Sequence, residues 1–135
     1  MASIRKEISL DAPADRVWDA IRDFGAVHQR VAPGFVVDLK LDGDARIVTF
    51  HNGTVAREVL VDVDDELRRL VYTIVEGRFT AHSASVQVFA EDPRRSRIVW
   101  ITDLLPNELA GYIRSQMDMA AVTMKETLER QATAA

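Results

Sequence analysis

The chain has no cysteine, and that absence removes disulfides, thiolate metal sites and a cysteine nucleophile together. Histidine is nearly as scarce: His28, His51 and His82 are the only three, and none has the close spacing of a motif such as H-E-x-x-H. The six glycines stand apart from one another, so no phosphate-cradling loop can be drawn, and no G-x-S-x-G elbow occurs. Metal, nucleotide and elbow-serine chemistry are therefore unsupported, and no cofactor is expected. No apolar run approaches the roughly 20 residues that span a bilayer, so membrane insertion is not expected either. Basic residues are outnumbered 17 to 21, for a formal charge of −4. Broad electrostatic binding to nucleic acid or anionic lipid is disfavoured on that balance. The first residues, Met1 to Glu7, enter patterned sequence without the apolar stretch of a signal peptide, so a cytoplasmic protein is expected.

What remains is an ordinary core-forming composition, 47% hydrophobic and 28% charged, enough for one domain over residues 1–135. Ile4, Lys6, Ile8 and Leu10 alternate with polar residues and predict a first strand. Asp11-Ala12-Pro13 opens a helix with Pro13 at its first position, where a missing N–H costs nothing. Val17, Trp18, Ile21 and Phe24 continue it to a stop at Gly25, and a second short helix is expected over 26–32. From Phe35 to Leu104 the period changes to two. Strands are expected at 35–41, 45–50, 55–63, 67–75, 82–91 and 96–104, joined by short turns such as Asp42-Gly43-Asp44 and Asn52-Gly53. Short links of this kind join antiparallel neighbours. Pro106 begins a last helix to about Gln131, with Leu109, Ile113, Met117, Ala120, Ala121, Met124 and Leu128 on one stripe. The fold class is α+β: a curved seven-stranded antiparallel sheet whose buried face is covered by the long helix. The small and flexible residues of that stripe fill space poorly, which places a cavity beside them.

In order and spacing, several stretches resemble the START-like, or SRPBCC, helix-grip superfamily. They are Ala12 to Trp18 at the helix opening, Glu58 in its strand, Asp64-Asp65-Glu66, Leu70 to Ile74, Trp100 on the last strand and Pro106 before the helix. That superfamily includes polyketide cyclase/dehydrase proteins, pollen-allergen-like proteins and plant abscisic acid receptors. The resemblance covers nearly the whole chain and implies a helix-grip fold around a small-molecule pocket. The receptors' gate and latch loops have counterparts at His51-Asn52-Gly53-Thr54 and Glu76-Gly77-Arg78-Phe79. The first loop here lacks the receptors' Pro and Leu, and their pocket lysine has no counterpart near Val31, so a hormone receptor is disfavoured.

The resemblance implies that Glu58 points into the pocket, where poor hydration would raise its pKa and fit it for acid or base work. Its bland alternative is a carboxylate paired with a basic side chain at the sheet edge. His82 takes the place of a ligand-contacting tyrosine in the receptors, or else is a half-exposed strand-start imidazole. Tyr72 is expected in the core with its hydroxyl toward the pocket. Trp100 sits on a strand apolar on both sides, and its direction stays open. Met117 and Met124 are either plain core or pocket lining. The expected ligand-binding set is Glu58, Leu60, Tyr72, Ile74, Phe79 and His82, joined by Ala84, Trp100, Met117, Ala120 and Met124. Within it Glu58 and His82 are the candidate catalytic pair. His28 and His51 read as solvated, as do Arg68-Arg69 and Arg94-Arg95.

Three functions fit this reading. The first is binding of a small hydrophobic or aromatic molecule of polyketide, lipid or isoprenoid type. The second is a polyketide cyclase/dehydratase that moves protons through Glu58 and His82. The third is an interaction module with a vestigial cavity, in which Val55, Val59, Val61 and Val63 form an apolar convex face for a partner or a homodimer.

Overall fold

The computed structural model describes residues 1–133. β1 (Ala2–Leu10) is followed by α1 (Ala14–Arg22), a single 3-10 turn and the short α2 (Val27–Arg30). Six strands follow: β2 (Val36–Asp42), β3 (Ala45–Phe50), β4 (Val55–Asp64), β5 (Arg69–Val75), β6 (Ala81–Asp92) and β7 (Arg95–Leu105). A second 3-10 turn leads into α3 (Ala110–Thr133). The strands form one antiparallel sheet in the order β1-β7-β6-β5-β4-β3-β2, so the meander closes by pairing its last strand with the first. This is the helix-grip arrangement expected from the sequence.

Boundaries differ from expectation by a few residues. Pro13 stands one place before α1, as its cap, and its carbonyl accepts the N–H groups of Arg16 and Val17 at 3.1 Å each. The second helix is only one turn long. The adjoining turn passes close to β2: a Cβ at Gly25 would sit 3.0 Å from the tip of the exposed Leu41 side chain. The Asp64-Asp65-Glu66 turn does more than reverse the chain. Asp65 accepts from Trp18 Nε1 and Arg22 Nε, both at 2.9 Å, which ties α1 to the β4–β5 hairpin. The Arg22 guanidinium, helped by the indole N–H, holds the Asp65 carboxyl below its usual range.

The sheet registers decide what faces the helix. Arg46 lies opposite Glu58, and Glu58 opposite Ile74. Leu60, Tyr72, Ala84 and Thr102 form the next rung, and Val86 pairs with Trp100. Side chains opposite one another share a face, so Trp100 points to the concave side, toward α3. A register shift between Leu60 and Asp62 in β4 breaks the alternation there. Leu60 and Val63 consequently both pack on the core, while Val55 and Val61 are exposed. The expected four-valine convex face is therefore incomplete: the bulge turns Val63 inward.

The core divides into two clusters. The larger joins α1, the sheet centre and the second half of α3 through Trp18, Leu70, Ile98, Met124 and Leu128. The smaller holds Ile4, Leu104, Leu109 and Met117, and Trp100 packs against both. α3 leans on β1, where Lys6 reaches Asp118 at 2.9 Å and Lys125 donates to the Ser9 carbonyl. That lean leaves the β3–β5 side of the concave face uncovered by the helix.

Candidate functional site

Two cavities occupy the uncovered side. The outer one, about 490 Å³, lies at the open end between β4, β5, the 76–79 loop and the first turns of α3. Its walls carry Ile74, Phe79, Leu109 and Ile113, with Arg57, Glu76 and Arg78 among its polar members. The inner one, about 80 Å³, lies deeper and is bounded by Arg46, Glu58, Tyr72, Trp100, Ala120 and Met124 among others. Phe35 and Phe50 line both. Their rings meet edge to face with centroids 5.7 Å apart.

The two loops singled out in the sequence bound the outer cavity. Thr54 and Glu76 to Phe79 line it. The first loop is tied across to α3: Asn52 Nδ2 donates to the Tyr112 hydroxyl at 2.8 Å, and His51 Nε2 lies 3.2 Å from Gln116 Oε1. His51 also stacks near Phe35, at 5.3 Å between centroids. It is exposed, but it is a bonded part of this strap and not the freely solvated group expected. His28 departs further from expectation, because its ring is partly buried and its Nδ1 finds no partner among the described residues. Glu76 and Gly77 both take positive φ, +71° and +78°. Glycine adopts that conformation freely, whereas Glu76 pays a steric cost for it.

Glu58 is 5% exposed and faces the interior. Arg46, opposite it on β3, donates from Nε to Glu58 Oε1 at 2.7 Å. A second N–H of the same guanidinium donates to the Phe24 carbonyl at 3.1 Å. Its Cζ lies 4.0 Å from the Phe24 ring centroid and 5.2 Å from that of Tyr72. The expected alternatives for Glu58 thus combine, since the carboxylate is inward-facing and also paired, with its partner inside the grip and away from the sheet edge. Burial pushes the Tyr72 hydroxyl pKa up, and the nearby Glu58 carboxylate pushes it the same way. The Arg46 guanidinium and the Trp100 indole act weakly in the opposite sense. The Trp100 N–H nonetheless does not reach hydrogen-bond geometry toward Tyr72, and no other described group accepts it.

His82 occupies the point where the β5–β6 ladder ends. Pairing stops at Tyr72 opposite Ala84, and the next N–H that would need a partner, that of Ile74, donates to His82 Nδ1 at 3.0 Å. An imidazole nitrogen that accepts must be unprotonated, so Nε2 carries the proton of the neutral ring. Burial lowers the pKa of His82 to about 4. The ring lies 4.9 Å from Phe79 and 6.1 Å from Tyr72, between centroids.

The expected site residues therefore separate. Ile74 and Phe79 line the outer cavity. Glu58, Tyr72, Trp100, Ala120 and Met124 line the inner one. Leu60, Ala84, His82 and Met117 line neither, and Met117 belongs to the smaller core cluster. Glu58 and His82 do not share a cavity. The helix stripe divides between the two: Leu109 and Ile113 at its start line the large cavity, while Ala120 and Met124 further along line the small one. Arg46 was not singled out in the sequence. The signal was there: it shares the apolar register of Val48 and Phe50, and a charge in that register needs a buried partner.

Among curated proteins, none matches this sequence. Solved structures do resemble it. A protein of uncharacterised function from Bacillus thuringiensis superposes with a TM-score of 0.83 at 17% identity, covering 94% of this chain and 98% of that one. The di-domain ARO/CYC protein BexL of the BE-7585A biosynthetic pathway gives 0.82 at 15%, over 99% of this chain and 48% of that one. Norcoclaurine synthase from Thalictrum flavum, in complex with dopamine and hydroxybenzaldehyde, gives 0.74 at 21%, over 96% and 85%. At these identities the likeness carries the fold. No described helix is long and apolar enough to cross a membrane, and the described residues contain no cluster suited to a metal ion. The family model described as polyketide cyclase / dehydrase and lipid transport matches residues 1–134, and the chain belongs to that family, which supports a ligand-binding or cyclase role.

Proposed function

We propose that the protein binds a small apolar or aromatic molecule of polyketide, lipid or isoprenoid type, with its body in the outer cavity. The observation that carries this reading is the cavity of about 490 Å³, walled by Phe35, Phe50, Ile74, Phe79, Leu109 and Ile113. Its volume falls in the range of roughly 300–1,000 Å³ common to small-molecule sites, and an apolar wall with a few polar groups is their usual composition. The test is native mass spectrometry of the protein purified from its own host, followed by thermal-shift screening of aromatic polyketides, fatty acids and isoprenoids. A co-purifying species or a saturable stabilisation of several degrees is expected. Absence of both across all three classes would overturn the reading.

The family supports a second reading, a cyclase or dehydratase acting through Glu58 and His82. Glu58 is the stronger of the two candidates, because it borders the inner chamber, although the Arg46 guanidinium already occupies one of its carboxylate oxygens. His82 would have to give up the Ile74 N–H to take a proton at Nδ1. Glu58→Gln is expected to abolish turnover of any accepted substrate while leaving its affinity within a few fold. Unchanged turnover would remove Glu58 from the mechanism.

A further inference from the structure

We infer that the outer edge of β2 is a self-pairing surface: a second copy of this chain adds its own β2 antiparallel, about a two-fold axis at Leu39, and joins the two sheets.

An open sheet has two edges, and the order β1-β7-β6-β5-β4-β3-β2 leaves them at β1 and β2. They are finished differently. β1 is guarded by α3: Lys125 Nζ donates to the Ser9 carbonyl at 2.6 Å, Glu129 accepts the Asp11 N–H at 2.8 Å, and Lys6 is held by Asp118. β2 has no such cover. Beyond Val36, whose N–H goes to the Ala32 carbonyl, no described side chain or loop hydrogen-bonds its backbone, and its ladder partner is β3 alone. Asp38, Lys40, Leu41 and Asp42 are exposed along it, Leu41 by 64%, and Val37 at the bulge by 54%. Unpaired edge groups of this kind are a template for another strand.

Charge selects the partner strand and its register. Hydrogen-bonded and non-hydrogen-bonded pairs alternate along an antiparallel ladder, so a symmetric pair must set one residue opposite its own copy. With Asp38 or Lys40 on the axis, like charges meet. With Leu41 there, Lys40 faces Asp42, but that carboxylate is already held by Arg57 at 2.8 Å and the overlap runs into the Gly43 turn. With Leu39 on the axis, Asp38 faces the partner's Lys40 at two symmetric places, and Leu41 comes to the partner's Val37. Asp38 and Lys40 have no ion-pair partner among the described residues of their own chain. Leu39 is also the midpoint of β2, so this register overlaps the whole strand.

Sedimentation equilibrium of the full chain is expected to show a reversible monomer–dimer equilibrium that weakens with salt. Lys40→Asp turns both symmetric pairs into facing carboxylates and is expected to raise the dimer dissociation constant about tenfold. Adding Asp38→Lys swaps the charges and is expected to bring the constant back to within a few fold of the native value. Because the chain has no cysteine, single substitutions read the register directly. Leu39→Cys should oxidise to a covalent dimer. Lys40→Cys should not, since its Cα would lie farther from its own copy than the roughly 7 Å a disulfide spans. A native chain that stays monomeric up to millimolar concentration would overturn the inference. So would a dimer that Lys40→Asp leaves intact, which would move the interface to another face, a charge swap that restores nothing, or cross-linking at position 40 in place of 39.

Discussion

The two sides of the grip are built differently from the same kinds of strand. On the β1 side, α3 lies against the sheet and Ile4, Leu104, Ile98 and Leu128 exclude solvent almost completely. On the β3–β5 side two cavities lie between the helix and the sheet. That side also holds the buried Arg46–Glu58 ion pair and the rings of Phe35, Phe50, Tyr72 and Phe79. A helix can lie along only one line of a curved sheet. The side it leans on becomes core, and the other becomes available for a ligand. Stability is expected to be concentrated in the first region and recognition in the second, with the Arg46–Glu58 pair as the exception that couples them.

The largest effect should come from that exception. Arg46→Met leaves the Glu58 carboxyl buried without its partner, and is expected to cost about 3–5 kcal/mol, read as a lower urea midpoint. Adding Glu58→Leu should restore most of the loss, since an apolar pair of similar volume avoids the desolvation penalty. If the single and double variants are equally unstable, the pair is not what holds the cavity side together.

Next comes a plain cavity on the packed side. Ile98 is fully buried, and Ile98→Ala is expected to cost about 3 kcal/mol. Phe79→Ala on the cavity side should cost only about 1 kcal/mol, because its ring borders a space that is already open. It should weaken ligand binding in the same thermal-shift screen. Equal costs for the two would erase the contrast between the sides.

His82 sharpens the comparison through pH. Its pKa falls from 6.5 to about 4 on folding, by burial. The unfolded chain therefore binds the extra proton first as pH drops. The contribution of His82 to stability is complete above about pH 6.5 and is lost progressively as pH falls toward 4. Allowing for the ring's partial exposure and solvent screening, about 1 kcal/mol is expected. Urea unfolding at pH 7 and pH 4 should show a shallower decline in His82→Gln than in the native chain. Parallel declines would assign the whole acid sensitivity to carboxylates such as Asp65 and Asp19, which arginine partners hold below their usual range. The smallest effect is expected for Lys6→Ala, which removes an exposed pair with Asp118 worth less than about 0.5 kcal/mol. A larger loss would mean that this contact helps set the lean of α3.

Most of the architecture was legible because each element carries a local signal. Period-two alternation marks Phe35 to Leu104, turn residues punctuate it, and a 3.6-residue stripe runs from Leu109 to Leu128. The errors fell where a local pattern is broken by a neighbour. Val63 obeys the alternation of β4 in the sequence, yet the bulge after Leu60 reverses it. Glu58, Tyr72 and Trp100 read as pocket residues and border the inner chamber. His82, Leu60, Ala84 and Met117 read the same way and border neither cavity. Strand parity says which face a side chain takes, but whether that face meets helix or empty space depends on where the helix lies.

The sequence by itself determined the order of elements, the antiparallel meander and the family. It did so because backbone periodicity and turn chemistry are properties of neighbouring residues. The tertiary structure alone decided that α3 leans on β1, that Arg46 neutralises Glu58, that Ile74 finds its acceptor in His82, and that Trp100 finds none. Those outcomes depend on distances between residues up to about a hundred positions apart, and only close packing of the whole chain sets them.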